Sequence, residues 1–464
     1  MLKLLTLLGL STLLWWSALW LLIPVPWQQL SPTVMLLLHL LPPILFTALV
    51  QLWRSRQARR EQAAAQAQAD AEVAEQQSRR DEARARHQAE LRSRQQALPC
   101  RWLWVQALPQ RDEPAWLAEL PAGCAWEMLM ADELEAGETL DCLQDAAQAG
   151  LQALYEELPG AAALPLLLEV LPQQSGIEQL ARIRQWQQQA WQSDAPQPTS
   201  DCRFLPGSGT LADRVQQFLA QDPELPGAVL LALDAPRAGW EPDEDSDAAT
   251  RQQWREQGMP GAAVVVLLFL RDGLSAPASD AQAATDPYQP YWERDPAAAS
   301  AGWGRVPAGA QQGLAALPVL ACLAQSGQGE LRQQGTLQLT RQLQPLLDNA
   351  LVNAALLDFP FSAEDAEPQR NQADSVAWLV HNGGDVDVGG TRLAAIGSNL
   401  TRHQIALHPV DEGSNLVREW GDVGAAAPAL LTALAVTHCA RLAAPAVLAQ
   451  FQPDHAALSL ARPA

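Results

Sequence analysis

The stretch GMPGAAVVVLLFLRDG, Gly258 to Gly273, reads as a glycine-rich turn feeding an uninterrupted apolar run. Strict alternation would mark a strand with one wet face. A continuous run marks a strand covered on both faces, the pattern of a sheet held between helical layers. GAVLLALD, Gly227 to Asp234, and LPLLLEVL, Leu164 to Leu171, read the same way, and RWLWVQAL, Arg101 to Leu108, is a further strand candidate.

Helical patterns fall between these runs. Leu140 to Leu158 places Leu143, Leu151 and Leu154 on one side. Gly176 to Trp191 and Thr210 to Gln221 carry apolar residues at i, i+3 and i+4. Two polar stretches interrupt: the acidic Arg237 to Gly258, read as a surface excursion, and the Pro-, Ala- and Asp-rich Ser275 to Gly304, read as a long loop or hinge. Alternation then resumes. Leu343 to Phe359 reads as helix, SVAWLVHN (Ser375 to Asn382) as strand, and RLAAIGSNL (Arg392 to Leu400) as strand and turn. HQIALHPV (His403 to Val410) reads as strand and Ala427 to Ala443 as helix. The expected class is α/β in two comparable halves, 99–304 and 305–464.

The chain of 464 residues carries a formal net charge of -21. That argues against nucleic acid as a partner, because phosphate binding needs clustered Lys and Arg. Arg is used almost to the exclusion of Lys, a bias of GC-rich bacterial genomes. The six cysteines, Cys100, Cys124, Cys142, Cys202, Cys322 and Cys439, form no CxxC pair. They read as reduced thiols in a reducing compartment. His403, His408, His438 and His455 show no metal spacing, and no cofactor is expected.

Two apolar segments come first, Leu4 to Val25 and Val34 to Trp53. Each is near the roughly 20 residues a bilayer-spanning helix needs. Pro42 and Pro43 are placed to kink the second, and Trp16, Trp20, Trp27 and Trp53 include interfacial candidates. Lys3 precedes the first segment, and Arg54, Arg56, Arg59 and Arg60 follow the second. Both ends of the hairpin, 1–53, are therefore expected in the cytoplasm, with residues 4–53 in the bilayer. The competing reading is a cleaved signal peptide, but no small-x-small site follows the first run. Residues 54–98, rich in Ala, Gln, Glu and Arg, read as a solvated helical stalk of about 60 Å that Leu98-Pro99 ends.

Four turns carry a family resemblance. LPGSGTLADRVQQFLAQDPELPGAVLLALD, with Ser208 in its turn, resembles the nucleophile turn, helix and strand of the thiolase-like condensing enzymes, the β-ketoacyl synthases. The family presents a cysteine at that helix N-terminus, where the dipole favours a thiolate. Here Ser208 takes the position, and Cys202 lies too early. Gly258 to Gly273 resembles the family's GEGAA-type turn into a central strand. SVAWLVHNGGDVDVGG resembles the HGTGT-type strand and loop that delivers the first histidine, which would be His381. GDVGAAAP resembles the GHxxGAAG turn of the second histidine, with Asp422 in its place. The lysine expected just before is missing, with Arg418 nearby. The resemblance spans about Arg101 to Gln450 and implies a duplicated, layered α/β domain with a degenerate active site.

The chemistry follows from these substitutions. Condensation needs a thiolate to carry the acyl group and two donors for the developing oxyanion. Ser208 is barely ionised without a base, and an ionised Asp422 cannot donate a hydrogen bond. Only His381 keeps suitable chemistry. Three functions are open: a non-catalytic binding or scaffold domain, such as an adaptor of a membrane or secretion machine with a protein partner; an acyl-transfer or ester-hydrolysing enzyme; and a passive acyl-chain or lipid binder. The enzyme reading takes Ser208, His381 and Asp422 as a hydrolase triad. The bland reading makes Ser208 and Asp422 helix caps and places His381 in a turn. DPYQPYWERD, Asp286 to Asp295, is a candidate partner patch, and DEDSD, Asp243 to Asp247, a solvated acidic run.

Overall fold

The structure, a computed structural model, describes residues 2–22, 31–111, 113–134, 137–192, 200–240, 248–274, 302–332, 335–359, 361, 371–384 and 386–464. The chain divides into two compact units, Met1–Gln88 and Ala89–Ala464. The aromatic and acidic patches at 286–295 and 243–247, and Trp27, lie outside the described residues.

The first unit contains the helix Leu2–Leu22 and the start of the helix Pro32–Arg94, both long and apolar enough to cross a membrane. The second helix runs unbroken through Pro42 and Pro43. A proline has no N–H, so each leaves the carbonyl four residues earlier without its helical donor. Those carbonyls belong to Leu38 and His39. The Trp15 indole N–H donates to Leu38 O at 2.8 Å, and the Trp16 indole N–H donates to His39 O at 3.2 Å. Two adjacent tryptophans therefore satisfy the two acceptors that two adjacent prolines orphan. Beyond Trp53 the same helix is exposed and carries i,i+4 ion pairs, Arg79 with Glu75 and Arg86 with Glu82. It stops at Arg94, and Leu98 and Pro99 open the first strand.

The second unit is built on one sheet. Its strands are β1 (Leu98–Ala107), β2 (Cys124–Met128), β3 (Leu166–Leu168), β4 (Cys202–Phe204), β5 (Gly227–Asp234) and β6 (Ala263–Leu270). They continue as β7 (Ala321–Leu323), β8 (Gly327–Glu330), β9 (Trp378–His381), β10 (Gly413–Asn415), β11 (Ala446–Phe451) and β12 (His455–Arg462). The sheet order is β10-β9-β11-β12-β7-β1-β6-β5-β3-β4, with β2 beside β1 and β8 beside β12. The order β4-β3-β5-β6-β1 in one half repeats as β10-β9-β11-β12-β7 in the other. In each half the last strand in chain order is antiparallel to both neighbours, and the three outer strands are parallel. The halves join through the antiparallel pair β1 and β7. The layered, duplicated α/β fold that the resemblance implied is thus present in the strand order itself.

Alternation along β1 explains the layers. Leu103 and Val105 face a core shared with the helices Leu211–Gln221 and Ala427–Leu442 and with Val380 and Leu448 of the other half. Trp102 and Trp104 face the helices Gln144–Glu157 and Gly176–Ala190. The helices Gly335–Asn353 and Val386–Arg402 cover the outer face of β9, β11 and β12. The two central helices hold equivalent places, each between the third and fourth core strands of its half. The helix Ala427–Leu442 is buried continuously from Ala429 to Cys439. That is why 424–442 is also apolar enough to span a membrane, yet here it forms the centre of the core.

Three local expectations change. Residues 392–400 lie inside the helix Val386–Arg402 rather than a strand and turn. Residues 403–410 form two turns joined by an irregular stretch, 405–408, not a strand. The excursion Arg237–Gly258 contains the helix Ala248–Gln257.

Candidate functional site

Ser208 sits between Gly207 and Gly209, both at positive φ, in the turn from β4 to the helix Leu211–Gln221. Its side chain is exposed, and no base lies within hydrogen-bonding distance among the described residues. Thr210, not Ser208, is the N-cap, accepting from the Asp213 N–H. Asp213 is buried and accepts from Thr210 Oγ1, the Ser326 N–H and hydroxyl, and Gln328 Nε2. This carboxylate ties the turn to the other half of the sheet.

Asp422 stands where the two glycine-rich turns meet. Its N–H donates to Met259 O at 2.8 Å, and its carbonyl accepts from the Gly261 N–H at 2.8 Å. A Cβ on Gly258 would lie 2.6 Å from Gly421 Cα, so glycine permits this approach. The Asp422 carboxylate accepts from the Gly424 N–H at 2.9 Å. A second carboxylate, Asp234 at the end of β5, accepts from the Ala425 N–H at 2.7 Å. Burial, with the nearby Asp422 charge a lesser cause, raises the Asp234 carboxyl above its usual range. Two carboxylates therefore hold N–H groups of the short 3-10 turn Gly424–Ala426 that leads into the last central helix, while the helix itself begins after Ala426 without a side-chain cap. Sequence reasoning misses Asp234; its place at the end of an apolar strand is the only signal.

His381 ends β9 and is 2 % exposed. Its Nδ1 accepts from the Gly383 N–H at 3.2 Å, which assigns the ring proton to Nε2. Burial lowers it to about 4, so the ring is neutral at physiological pH. His381 lines a cleft of about 310 Å³ beside the edge strand β10, together with Trp116, Trp378, Asn415, Arg418 and Glu419. Neither Ser208 nor Asp422 lines it. No hydrogen bond joins any two of Ser208, His381 and Asp422 among the described residues.

Sequence reasoning misses Glu419 as well. Burial raises its carboxyl to about 7, partly offset by the Asn415 N–H, Arg418 and the Trp420 indole. Its Oε1 accepts from the Asn415 N–H at 3.1 Å, while Oε2 makes no proper hydrogen bond among the described residues. Asn415 Nδ2 donates to Gly384 O at 2.9 Å, and Asn415 Oδ1 has no partner among the described residues. Behind the cleft, Trp378 stacks on His438 with centroids 4.4 Å apart, and Trp116 meets the same ring edge-on at 4.9 Å. Ser414 Oγ lies 3.0 Å from His438 Nε2.

No cysteine is poised as a nucleophile. Burial is the main cause raising all six thiols, Cys202 to about 11 and Cys124 and Cys439 to about 12. The described residues contain no group of His, Cys, Asp and Glu that could hold a metal ion.

No family model matches the chain. No curated protein sequence matches it. Among solved structures it is similar to human mitochondrial 3-ketoacyl-CoA thiolase, at 10% identity and TM-score 0.42, covering 80% of this chain and 99% of that one. It is also similar to 3-oxoacyl-(acyl carrier protein) synthase III of Pseudomonas aeruginosa, at 15% identity and TM-score 0.38, over 79% and 99%. A third is the peroxisomal 3-ketoacyl-CoA thiolase of Saccharomyces cerevisiae, at 11% and 0.41, over 79% and 97%. That enzyme is described as five-layered and built from two core domains of identical topology. These likenesses bear on no residue's chemistry here.

Proposed function

We propose that the chain is a membrane-anchored, non-catalytic binding domain on a thiolase-like fold, acting as an adaptor for a protein partner at the bacterial inner membrane. Residues 1–53 form a two-pass hairpin, 54–98 a stalk, and 99–304 with 305–464 the two halves of a cytoplasmic domain. The observation that carries this reading is the setting of Ser208. Its hydroxyl is exposed and has no base within hydrogen-bonding distance among the described residues, so none of those residues generates an alkoxide. Two further observations support it. The Asp422 carboxylate is engaged with its own backbone where a condensing enzyme needs a donor. All six thiols are held protonated by burial.

A serine-directed fluorophosphonate tests the proposal. The full chain in detergent should take up no label at Ser208 under conditions where a control serine hydrolase reacts completely. Stoichiometric labelling, lost in Ser208→Ala and His381→Ala, would overturn it in favour of an acyl or ester enzyme.

A further inference from the structure

The cleft beside β10 joins a fixed aromatic wall to hydrogen-bond donors that have nothing to donate to. Trp378 is stacked on His438 at 4.4 Å, and its indole N–H donates to Ser414 Oγ at 3.2 Å. Trp116 meets Trp126 edge-on at 5.1 Å and His438 at 4.9 Å. Both indoles line the cleft and are half-buried, so each is held in place and still presents surface to a ligand.

His381 lies deeper. Its Nδ1 is occupied by the Gly383 N–H, so the ring proton is on Nε2, where it meets no acceptor among the described residues. Asn415 Oδ1 and Glu419 Oε2 are sealed from solvent, but His381 Nε2 is not. The residue is 2 % exposed and borders the cleft, so this N–H is a buried donor that an oxygen in the cleft can satisfy.

The lip carries the charge. Arg111 and Arg418 are exposed there, and neither forms an ion pair among the described residues. Of the lining carboxyl groups, Asp411 is paired with His408 at 2.8 Å, and burial holds Glu419 up at about 7. Two guanidinium groups are therefore the dominant free charge of the cleft, in a chain of net charge -21. They suit a carboxylate. At about 310 Å³ the space lies at the lower end of ligand pockets, enough for one ring with a short acid chain.

We infer that this cleft binds a small aromatic carboxylate whose ring carries an acceptor oxygen, of the hydroxyphenylalkanoate type. The carboxylate sits on Arg111 and Arg418, the ring lies against Trp116 and Trp378, and the ring oxygen accepts from His381 Nε2–H. The site rests on the binding-domain reading and says what that domain binds. It uses neither Ser208 nor Asp422, and no bond is made or broken.

Equilibrium dialysis of the full chain in detergent micelles with radiolabelled para-hydroxyphenylacetate tests the assignment. Saturable binding is expected. As competitors, para-hydroxyphenylethanol, which lacks the carboxylate, should be weaker by about tenfold or more, and phenylacetate, which lacks the ring oxygen, by about fivefold. Arg111→Ala and Arg418→Ala should each weaken binding by about tenfold, while Arg332→Ala, an exposed arginine outside the cleft, leaves it unchanged. His381→Phe should erase the preference for para-hydroxyphenylacetate over phenylacetate. Both lip arginines are exposed, so their variants and the competitor series report on the site even if the His381 variant unfolds. Absence of saturable binding, equal competition by para-hydroxyphenylethanol, or full binding in both arginine variants overturns the site and leaves the non-catalytic reading standing. Equal competition by phenylacetate overturns the place given to His381. Recovery of chemically altered ligand would overturn the non-catalytic reading and leave the site.

Discussion

Replacing Trp15 by Phe should destabilise the N-terminal hairpin, and the cost should vanish when Pro42 is also replaced by Ala. The structure supplies both halves of that argument. Pro42 and Pro43 remove the donors for Leu38 O and His39 O, and the Trp15 and Trp16 indoles replace them at 2.8 and 3.2 Å. In hydrocarbon no water is available to take over a lost bond. Measured interhelical hydrogen bonds in membrane proteins average about 0.6 kcal/mol and reach about 1.7. The shorter Trp15 bond should therefore cost about 1 to 1.5 kcal/mol on Trp15→Phe, and the longer Trp16 bond about 0.5 on Trp16→Phe. In a Pro42→Ala background the restored N–H at residue 42 satisfies Leu38 O within its own helix, and Trp15→Phe becomes nearly neutral. The coupling energy should thus equal most of the single-variant cost. It can be read from detergent unfolding of the full chain, followed by energy transfer between dyes on cysteines replacing the exposed Leu5 and Leu49. Equal costs of Trp15→Phe in the parent chain and in the Pro42→Ala background would refute the compensation.

Three further outcomes follow from the same geometry. Glu419, raised to about 7 by burial, holds a proton in the folded state that the unfolded chain releases near 4.5, so it lowers stability as pH rises between those values. His381, lowered to about 4, and His438, lowered to about 3, act oppositely, losing stability as pH falls through 6.5. Glu419→Gln removes the opposing contribution and should widen the drop in urea midpoint from pH 7 to pH 5; an unchanged drop would contradict the buried carboxyl. Asp234→Ala should cost about 1 to 2 kcal/mol by freeing the Ala425 N–H, more than Asp422→Ala, as urea unfolding would show. A topology reporter fused after Pro99 should report cytoplasm, and a periplasmic signal would reverse the hairpin.

The fold was legible where apolar runs were long. β5 and β6 read directly as doubly covered strands, and the buried helix Ala427–Leu442 as a helix. β10 was not legible, because Gly413–Asn415 is three residues with no apolar side chain. The helix Val386–Arg402 did carry a helical period in Leu393, Ile396 and Leu400, but Gly397, Ser398 and Asn399 suggested a turn. Packing of Ile396 and Leu400 in the outer core overrides that weak propensity. At the site, His381 was visible through its strand and following glycines. Asn415, Glu419 and Asp234 were not, because their roles come from β10, the short helix Leu416–Glu419 and the end of β5 meeting residues far away in sequence.

The central claim is loss of chemistry at the turn holding Ser208, and acyl capture tests it most directly. The full chain, incubated with a radiolabelled acyl-CoA and examined by intact-mass spectrometry, should show no covalent acyl adduct and no release of free CoA above the buffer rate. An adduct mapped to Ser208, with CoA release abolished by Ser208→Ala, would contradict the account.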